Sequence, residues 1–186
     1  MPIPALDPIS NALPPYLTVS GKITERSPYK CSVAELCSRY ATSAARIVIF
    51  DGFLKFRSEC RLRGIVGFLW IGGSFLEDIE TLEQRDPNDI DVVTFVREPA
   101  TPAAVAAAIG LPIDLKSRAY VKATYLVDHS FVELRSAPSK LVNATYYWYG
   151  LYSHSRDDMW KGMLEIELES KSDDDDVARD ILEGKP

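Results

Sequence analysis

The chain has 186 residues, of which 46% are hydrophobic and 26% are charged, so it can bury the core of one compact domain. Its formal net charge is −6 at pH 7 and it has no block of Lys and Arg, which disfavours non-specific binding to nucleic acid. No apolar run approaches the length of a membrane span, so we expect a protein with no membrane partner.

The N-terminal part of the chain is rich in proline, which fixes φ and removes a hydrogen-bond donor. We therefore predict an extended arm over residues 1–30, followed by a single domain over residues 31–170. The same prolines interrupt the continuous apolar segment that a signal peptide requires. The apolar residues expected to pack the arm onto the domain are Ile3, Leu6, Leu13 and Leu17.

Cysteine usage points to a reducing compartment. The chain has three cysteines, an odd number, and they lack the CxxC spacing of a zinc site. We expect them to be reduced and partly buried thiols, and we predict a cytoplasmic protein. The three are Cys31, Cys37 and Cys60.

A capping-box pattern, Ser32-x-x-Glu35, opens the segment that follows the arm. Apolar residues then recur at helical spacing as far as about Arg63. We predict one long helix over this segment, and Gly52 is the point near which we expect any break.

The run from Val66 to Ile71 is short, apolar and ended by glycines, which is typical of a central strand. Gly72 and Gly73 allow the backbone to approach a ligand closely, and Ser74 offers a hydroxyl group. If a helix begins there, its free N–H groups face any phosphate placed beside it. Residues 75–88 then hold a short helix or turn and end in an Asp-Pro-Asn loop signal.

Residues 89–96, DIDVVTFV, predict a second strand. Because strand side chains alternate, Asp89 and Asp91 point to one face while Ile90 and Val92 point to the other. Two carboxylates ~5 Å apart repel each other by about 3 kcal/mol at an effective dielectric constant of about 20, and a divalent cation relieves this repulsion. The alternative is an exposed strand end or loop with solvated carboxylates after the Pro-Asn turn.

Two further segments precede residue 135. TPAAVAAAIG, residues 101–110, has a threonine N-cap, a proline at the first helical position and a terminal glycine, and it predicts a helix. Residues 120–134 are rich in β-branched and aromatic residues and predict a third strand. Asp128 interrupts the apolar run of this strand. His129 projects to the opposite face in a regular strand, which favours a packed histidine over a catalytic base.

The tyrosine-rich segment 141–152 has a helical periodicity. Its aromatic residues could stack a base, but at this spacing they more often form core, with one or two tyrosines reaching outward. They are Tyr146, Tyr147, Trp148, Tyr149 and Tyr152.

Arg156 and Lys161 follow in the turn SRDDMWKG, where they could donate to triphosphate oxygens. The alternative for both is an ordinary surface charge in a loop. GMLEIELE, residues 162–169, alternates like a half-exposed edge strand. Residues 171–186 form an acidic tail with four consecutive aspartates, a pattern typical of a solvated or frayed terminus.

The motifs GGSF and PNDIDVV, in this order, resemble the polymerase β-type nucleotidyltransferase superfamily. The signature of that superfamily is a strand, Gly-Ser, a short helix, and a strand bearing Asp-x-Asp. The LDP and LPP elements of the arm and the segment YWYGLYSHSRDDMWKGMLEIEL look like small stand-alone nucleotidyltransferase-like proteins. The resemblance covers most of the chain. It implies an α/β minimal nucleotidyltransferase fold, with a small, mixed, largely antiparallel sheet flanked by helices on one side.

By this resemblance, Gly73 and Ser74 contact the terminal phosphates of an NTP such as ATP, with Gly72 beside them. Asp89 and Asp91 hold two Mg²⁺ or Mn²⁺ ions, which suits oxygen ligands acting together with substrate phosphates. The third carboxylate of the superfamily falls on the predicted strand 120–134. Asp128 is the first candidate for it, and Glu133 is the second.

The resemblance implies transfer of a nucleoside monophosphate from an NTP to an acceptor. The acceptor is open between a small molecule, a tRNA end and a partner protein, such as the toxin of a toxin-antitoxin pair. The alternative is a catalytically degenerate module of the same fold that senses a nucleotide or binds a protein. Loss of the third carboxylate would favour that alternative.

Overall fold

The computed structural model describes residues 3–97, 115, 117–169 and 172–185. The strands are β1 (Tyr16–Val19), β2 (Lys22–Arg26), β3 (Tyr29–Lys30), β4 (Gly67–Gly72), β5 (Ile90–Val96), β6 (Val127–Glu133) and β7 (Leu164–Glu167). The helices are α1 (Val33–Tyr40), α2 (Ala44–Leu62), α3 (Ile79–Glu83), α4 (Arg118–Tyr125), α5 (Pro138–Tyr152) and α6 (Ser172–Glu183), with a 3-10 turn at Ser74–Leu76. The predicted α/β class is confirmed.

The main sheet has five strands in the order β3-β7-β4-β5-β6. The central strand β4 pairs antiparallel with β5 and with β7. The outer pairs, β3 with β7 and β5 with β6, are parallel. The sheet is therefore mixed, as predicted. β7 was predicted to be an edge strand, but it is the second strand of the sheet, because the two-residue strand β3 pairs with its outer side.

Alternation along the strands divides the core between the two faces of the sheet. Ile71 and Val92 belong to the larger cluster, which is covered by α1, α2, α4 and α6. Trp70 and Val93 belong to a smaller cluster on the opposite face, which is covered by α5. Helices therefore pack on both faces, whereas we predicted them on one, because the aromatic residues of α5 cover the second face.

The segment predicted as one long helix forms two helices, α1 and α2. The chain leaves the first helix at Ala41, and Ser43 caps the second helix by accepting a hydrogen bond from the Arg46 amide. Gly52 lies inside α2, where a Cβ atom would be 2.1 Å from the carbonyl oxygen of Tyr125. This glycine allows close contact between α2 and α4 and does not break the helix.

The predicted third strand is wrong over its first part. Residues 118–125 form α4, and the chain turns at Leu126, whose φ is +55°, directly into β6. α4 packs against α2 through the buried Val121 and Tyr125. Tertiary packing therefore overrides the strand propensity of this β-branched and aromatic segment.

The arm and the tail contain more structure than their sequences predicted. Strands β1 and β2 form an antiparallel pair. The tail forms α6, in which Asp175 is 1% exposed, so the prediction of a solvated terminus is wrong for this residue. The helix predicted over residues 101–110 lies outside the described residues. The predicted contacts of the arm are confirmed for Ile3, Leu6, Leu13 and Leu17.

Candidate active site

Three neighbouring strands bring the predicted site residues to one end of the sheet. Gly72 of β4 is the register partner of Asp91 of β5, and Asp91 is the register partner of Asp128 of β6. Glu133 pairs with Val96 at the other end of the same two strands. Asp128, and not Glu133, is therefore the carboxylate that the fold brings to the Asp-x-Asp pair.

The bend after β4 requires glycine for two separate reasons. Gly73 has a φ of +71°, and a Cβ atom there would be 1.7 Å from Oδ2 of Asp91. A Cβ atom on Gly72 would be 2.4 Å from Cγ of the Tyr152 ring. The bend thus sits directly against an acidic side chain on one side and a buried tyrosine on the other.

Ser74 begins a helical segment, but that segment is a single 3-10 turn, Ser74–Leu76. The amides of Leu76 and Glu77 already donate to the carbonyls of Gly73 and Ser74. The predicted helical segment is therefore present, but it is only one turn long.

Two basic side chains of α4 contact the carboxylates. The Lys122 ammonium lies 2.5 Å from Oδ2 of Asp89 and 3.2 Å from Oδ2 of Asp128. Arg118 donates a hydrogen bond to the other oxygen of Asp128. Lys122 thus bridges the acids at the starts of two adjacent strands.

The pKa values of Asp91 and Asp128 are shifted in opposite directions. Burial raises the pKa of Asp91 to about 6, and the nearby charges of Asp89 and Asp128 add to this effect. Burial acts in the same direction on Asp128, but the hydrogen bonds from Arg118 and Lys122 outweigh it and lower the pKa of that carboxyl. Of these two acids, Asp91 is therefore the one whose negative charge is less compensated.

Lys161 lies beneath the glycine bend and is 4% exposed. Its ammonium pairs with Glu77 and donates to the carbonyl oxygen of Gly73 at 3.1 Å. This placement favours support of the bend over direct contact with a triphosphate. Arg156 is exposed in the segment between α5 and β7. Within the described part of the chain, no hydrogen bond or ion pair joins Arg156 to Lys161, Glu77 or Gly73.

The aromatic helix α5 contributes both core and surface. Tyr152 is buried against Gly72, and Trp148 and Tyr149 pack on the smaller core cluster. Tyr146 and Tyr147 are exposed, so the prediction of a core face with one or two outward tyrosines is confirmed.

The prediction of a packed histidine is also confirmed. His129 is 3% exposed, and its Nε2 lies 3.1 Å from the Thr94 hydroxyl. Burial lowers the pKa of His129 to about 3, so the ring is neutral near pH 7.

The chemistry of the acidic residues fits a hard divalent cation. Asp89, Asp91 and Asp128 supply only oxygen donors, and the raised pKa of Asp91 reflects burial and a repulsion that a cation would relieve. Among the described residues, no group of three or more His, Cys, Asp or Glu side chains is arranged to hold a metal ion. Mg²⁺ is commonly bound by one or two carboxylates together with waters and substrate phosphates, so a site for it does not need three such side chains.

Sequence reasoning did not identify Arg118, Lys122, Glu77 or the structural use of Lys161. Arg118 and Lys122 have the i, i+4 spacing of one helix face, which would have been a usable signal. The strand predicted over residues 120–134 includes Lys122 and is incompatible with this helical spacing. Glu77 carries no distinguishing local pattern.

Comparisons with known proteins give one match. A model for a family described as "Family of unknown function (DUF6932)" matches residues 4–167, a range that contains all the site residues above. No curated protein and no solved structure matches the chain. In the described part of the chain, every helix is too short or too polar to span a bilayer.

Proposed function

We propose that this protein, which belongs to the DUF6932 family, is a metal-dependent nucleotidyltransferase that moves a nucleoside monophosphate from an NTP to an acceptor hydroxyl. One observation carries the proposal: Gly72, Asp91 and Asp128 lie in register across three adjacent strands. The motif order that resembles the polymerase β-type superfamily supports it. The bend at Gly73 adds a backbone that approaches the acidic residues closely.

In the proposed reaction, Asp89, Asp91 and Asp128 would hold Mg²⁺ or Mn²⁺, two ions by the superfamily resemblance. When bound, such ions neutralise charge on the triphosphate and polarise the reacting phosphate. Gly73 and Ser74 border the position proposed for the terminal phosphates. Lys161 keeps the bend in place through the Gly73 carbonyl.

The proposed step is an in-line displacement at the α-phosphorus. The acceptor oxygen forms a bond to this phosphorus while the bond from the phosphorus to the bridging oxygen breaks. Pyrophosphate leaves with that electron pair. The proton of the acceptor hydroxyl passes to solvent, and Asp128 would help to orient a general base or the second metal for this step.

The acceptor stays open between a small molecule, a tRNA end and a partner protein, including the toxin of a toxin-antitoxin pair. The net charge of −6 favours local recognition of the acceptor over general attraction of nucleic acid. The cytoplasmic location predicted from the cysteines remains a prediction.

A second candidate is a degenerate module that binds a nucleotide or a protein without turnover. The ion pairs of Lys122 with Asp89 and Asp128 favour this candidate, because they neutralise two of the three acids internally. Such a module would bind a nucleotide or a protein and would transfer nothing.

The test uses NTPs labelled at the α-phosphate, with Mg²⁺ or Mn²⁺ and a cell extract as the source of acceptor. We expect the wild type and the control Glu133→Gln to transfer label, and we expect Asp89→Asn with Asp91→Asn to transfer none. Equal labelling by all three proteins contradicts the enzyme function. Nucleotide binding by the wild type without any transfer supports the degenerate module.

A further inference from the structure

The α4 lysine of the candidate site contacts two acids at once. The Lys122 ammonium lies 2.5 Å from Asp89 and 3.2 Å from Asp128. The hydrogen bond to Asp89 is the main reason that the pKa of Lys122 is raised. An ammonium group in this position partly neutralises the negative charges of the two carboxylates, as a bound cation would.

We propose that Lys122 is an internal counter-cation, which a divalent ion displaces from Asp89 and Asp128 when it binds. Lys122 would therefore set the metal affinity of the site. This inference rests on the proposed function, because it takes the three acids as the metal-binding groups.

The charges around the site favour such an exchange. Asp89, Asp91 and Asp128 bring three negative charges, and Lys122 and Arg118 bring two positive charges in direct contact with them. A divalent ion added to this set would give an excess of positive charge. Because like charges repel over short distances, one of the basic side chains has to leave.

Lys122 is the cation that is best able to move. Its side chain is 50% exposed and attaches through a flexible four-carbon stem, so it can leave without opening the core. Lys161, the other lysine near Asp91, is 5% exposed and is held by Glu77 and the Gly73 carbonyl. Arg118 contacts only one of the acids, Asp128, with its ion pair. Displacement of Lys122 alone frees both Asp89 and Asp128.

The test measures binding of Mn²⁺ alone to the full chain by electron paramagnetic resonance, with no nucleotide present. The variant Lys122→Met removes the charge and keeps most of the length of the side chain. Lys55→Met is a matched control, because Lys55 also pairs with an aspartate, Asp51, at 2.6 Å and is 64% exposed. Lys122→Gln serves as a second variant if the methionine does not fold, as judged by circular dichroism.

We expect Lys122→Met or Lys122→Gln to bind Mn²⁺ roughly tenfold more tightly than the wild type, because the competing state is removed. Its Tm should also rise more on addition of Mn²⁺ than the Tm of the wild type. Lys55→Met should match the wild type in both measurements.

Unchanged or weaker Mn²⁺ binding by the Lys122 variants overturns the inference, and so does equal tightening by Lys55→Met. Absence of Mn²⁺ binding by all the proteins overturns it as well. Tighter binding by the Lys122 variants without label transfer from an NTP supports the counter-cation role and contradicts only the proposed transferase activity.

Discussion

Two aspartates in this protein each pair with two basic side chains, yet they lie in opposite surroundings. Asp128 contacts Arg118 and Lys122, whose side chains are 62% and 50% exposed. Asp175 contacts Arg57 and Arg61, whose side chains are 0% and 27% exposed. The first group faces solvent at the end of the sheet, and the second is enclosed between α2 and α6.

The comparison shows that the two aspartates differ most in the burial of their basic partners. Arg57 is fully enclosed and also donates to the carbonyl oxygen of Glu167, so its position is held from several directions. Lys122 can exchange its carboxylate partners for water or a ligand at small cost, as exposed ion pairs generally can. The acidic tail therefore pairs with a buried side chain of the core, whereas the acids at the sheet end pair with basic side chains that are half exposed or more.

The largest effect should come from breaking the enclosed pair. We expect Asp175→Ala to lower the free energy of unfolding by about 3–5 kcal/mol, because it removes a buried carboxylate that pairs with the fully buried Arg57. Urea denaturation followed by circular dichroism measures this change. Asp176→Ala is the control, since the Asp176 side chain is 68% exposed and, among the residues that the structure describes, forms an ion pair only with Arg179, also on the surface. Equal loss from both variants would mean that burial does not separate the two aspartates.

Substitution of Asp128, the counterpart at the sheet end, should reduce activity and leave the stability of the protein nearly unchanged. We expect Asp128→Asn to reduce label transfer by about 10²–10³-fold, the usual range for one electrostatic group in a reaction. The free energy of unfolding should change by at most about 1 kcal/mol, because both basic partners are half exposed or more. Glu133→Gln, at the far end of β6, should transfer label like the wild type. Loss of activity in Glu133→Gln, with activity kept in Asp128→Asn, would reverse the assignment of the third carboxylate.

The smallest effect should come from the neighbour of Asp175. Asp174 accepts hydrogen bonds from the amides of Val33 and Ala34 at 2.8 and 3.1 Å, so it caps the first turn of α1 from a distant part of the chain. We expect Asp174→Ala to cost about 1 kcal/mol of unfolding free energy, as the loss of a helix cap does. The same denaturation series measures it. A cost as large as that of Asp175→Ala would show that the capping contact, and not the buried ion pair, attaches the tail helix.

Several features of the site could be predicted because they depend on neighbouring residues. The glycine bend follows from two adjacent glycines after an apolar run, and its need for glycine is confirmed at Gly73. The alternation of Asp89 and Asp91 with buried Ile90 and Val92 follows from the two-residue period of a strand. The capping box at Ser32 follows from the Ser-x-x-Glu pattern and is confirmed.

Other features could not be predicted, because they depend on which distant segments pack together. Residues 118–125 have strand propensity but form a helix, since their buried face meets α2. The run of aspartates resembles a solvated tail, and only its contact with Arg57 and with the start of α1 gives it a structural use.

The sequence by itself determined the strand, the glycine bend and the Asp-x-Asp pair, because backbone sterics and side-chain periodicity act over a few residues. Only the tertiary structure decided that Asp128 rather than Glu133 joins that pair, because the choice depends on the parallel register of β5 and β6. It also placed Lys122 between the acids, because a helix has to pack on α2 before its basic face can reach the end of the sheet.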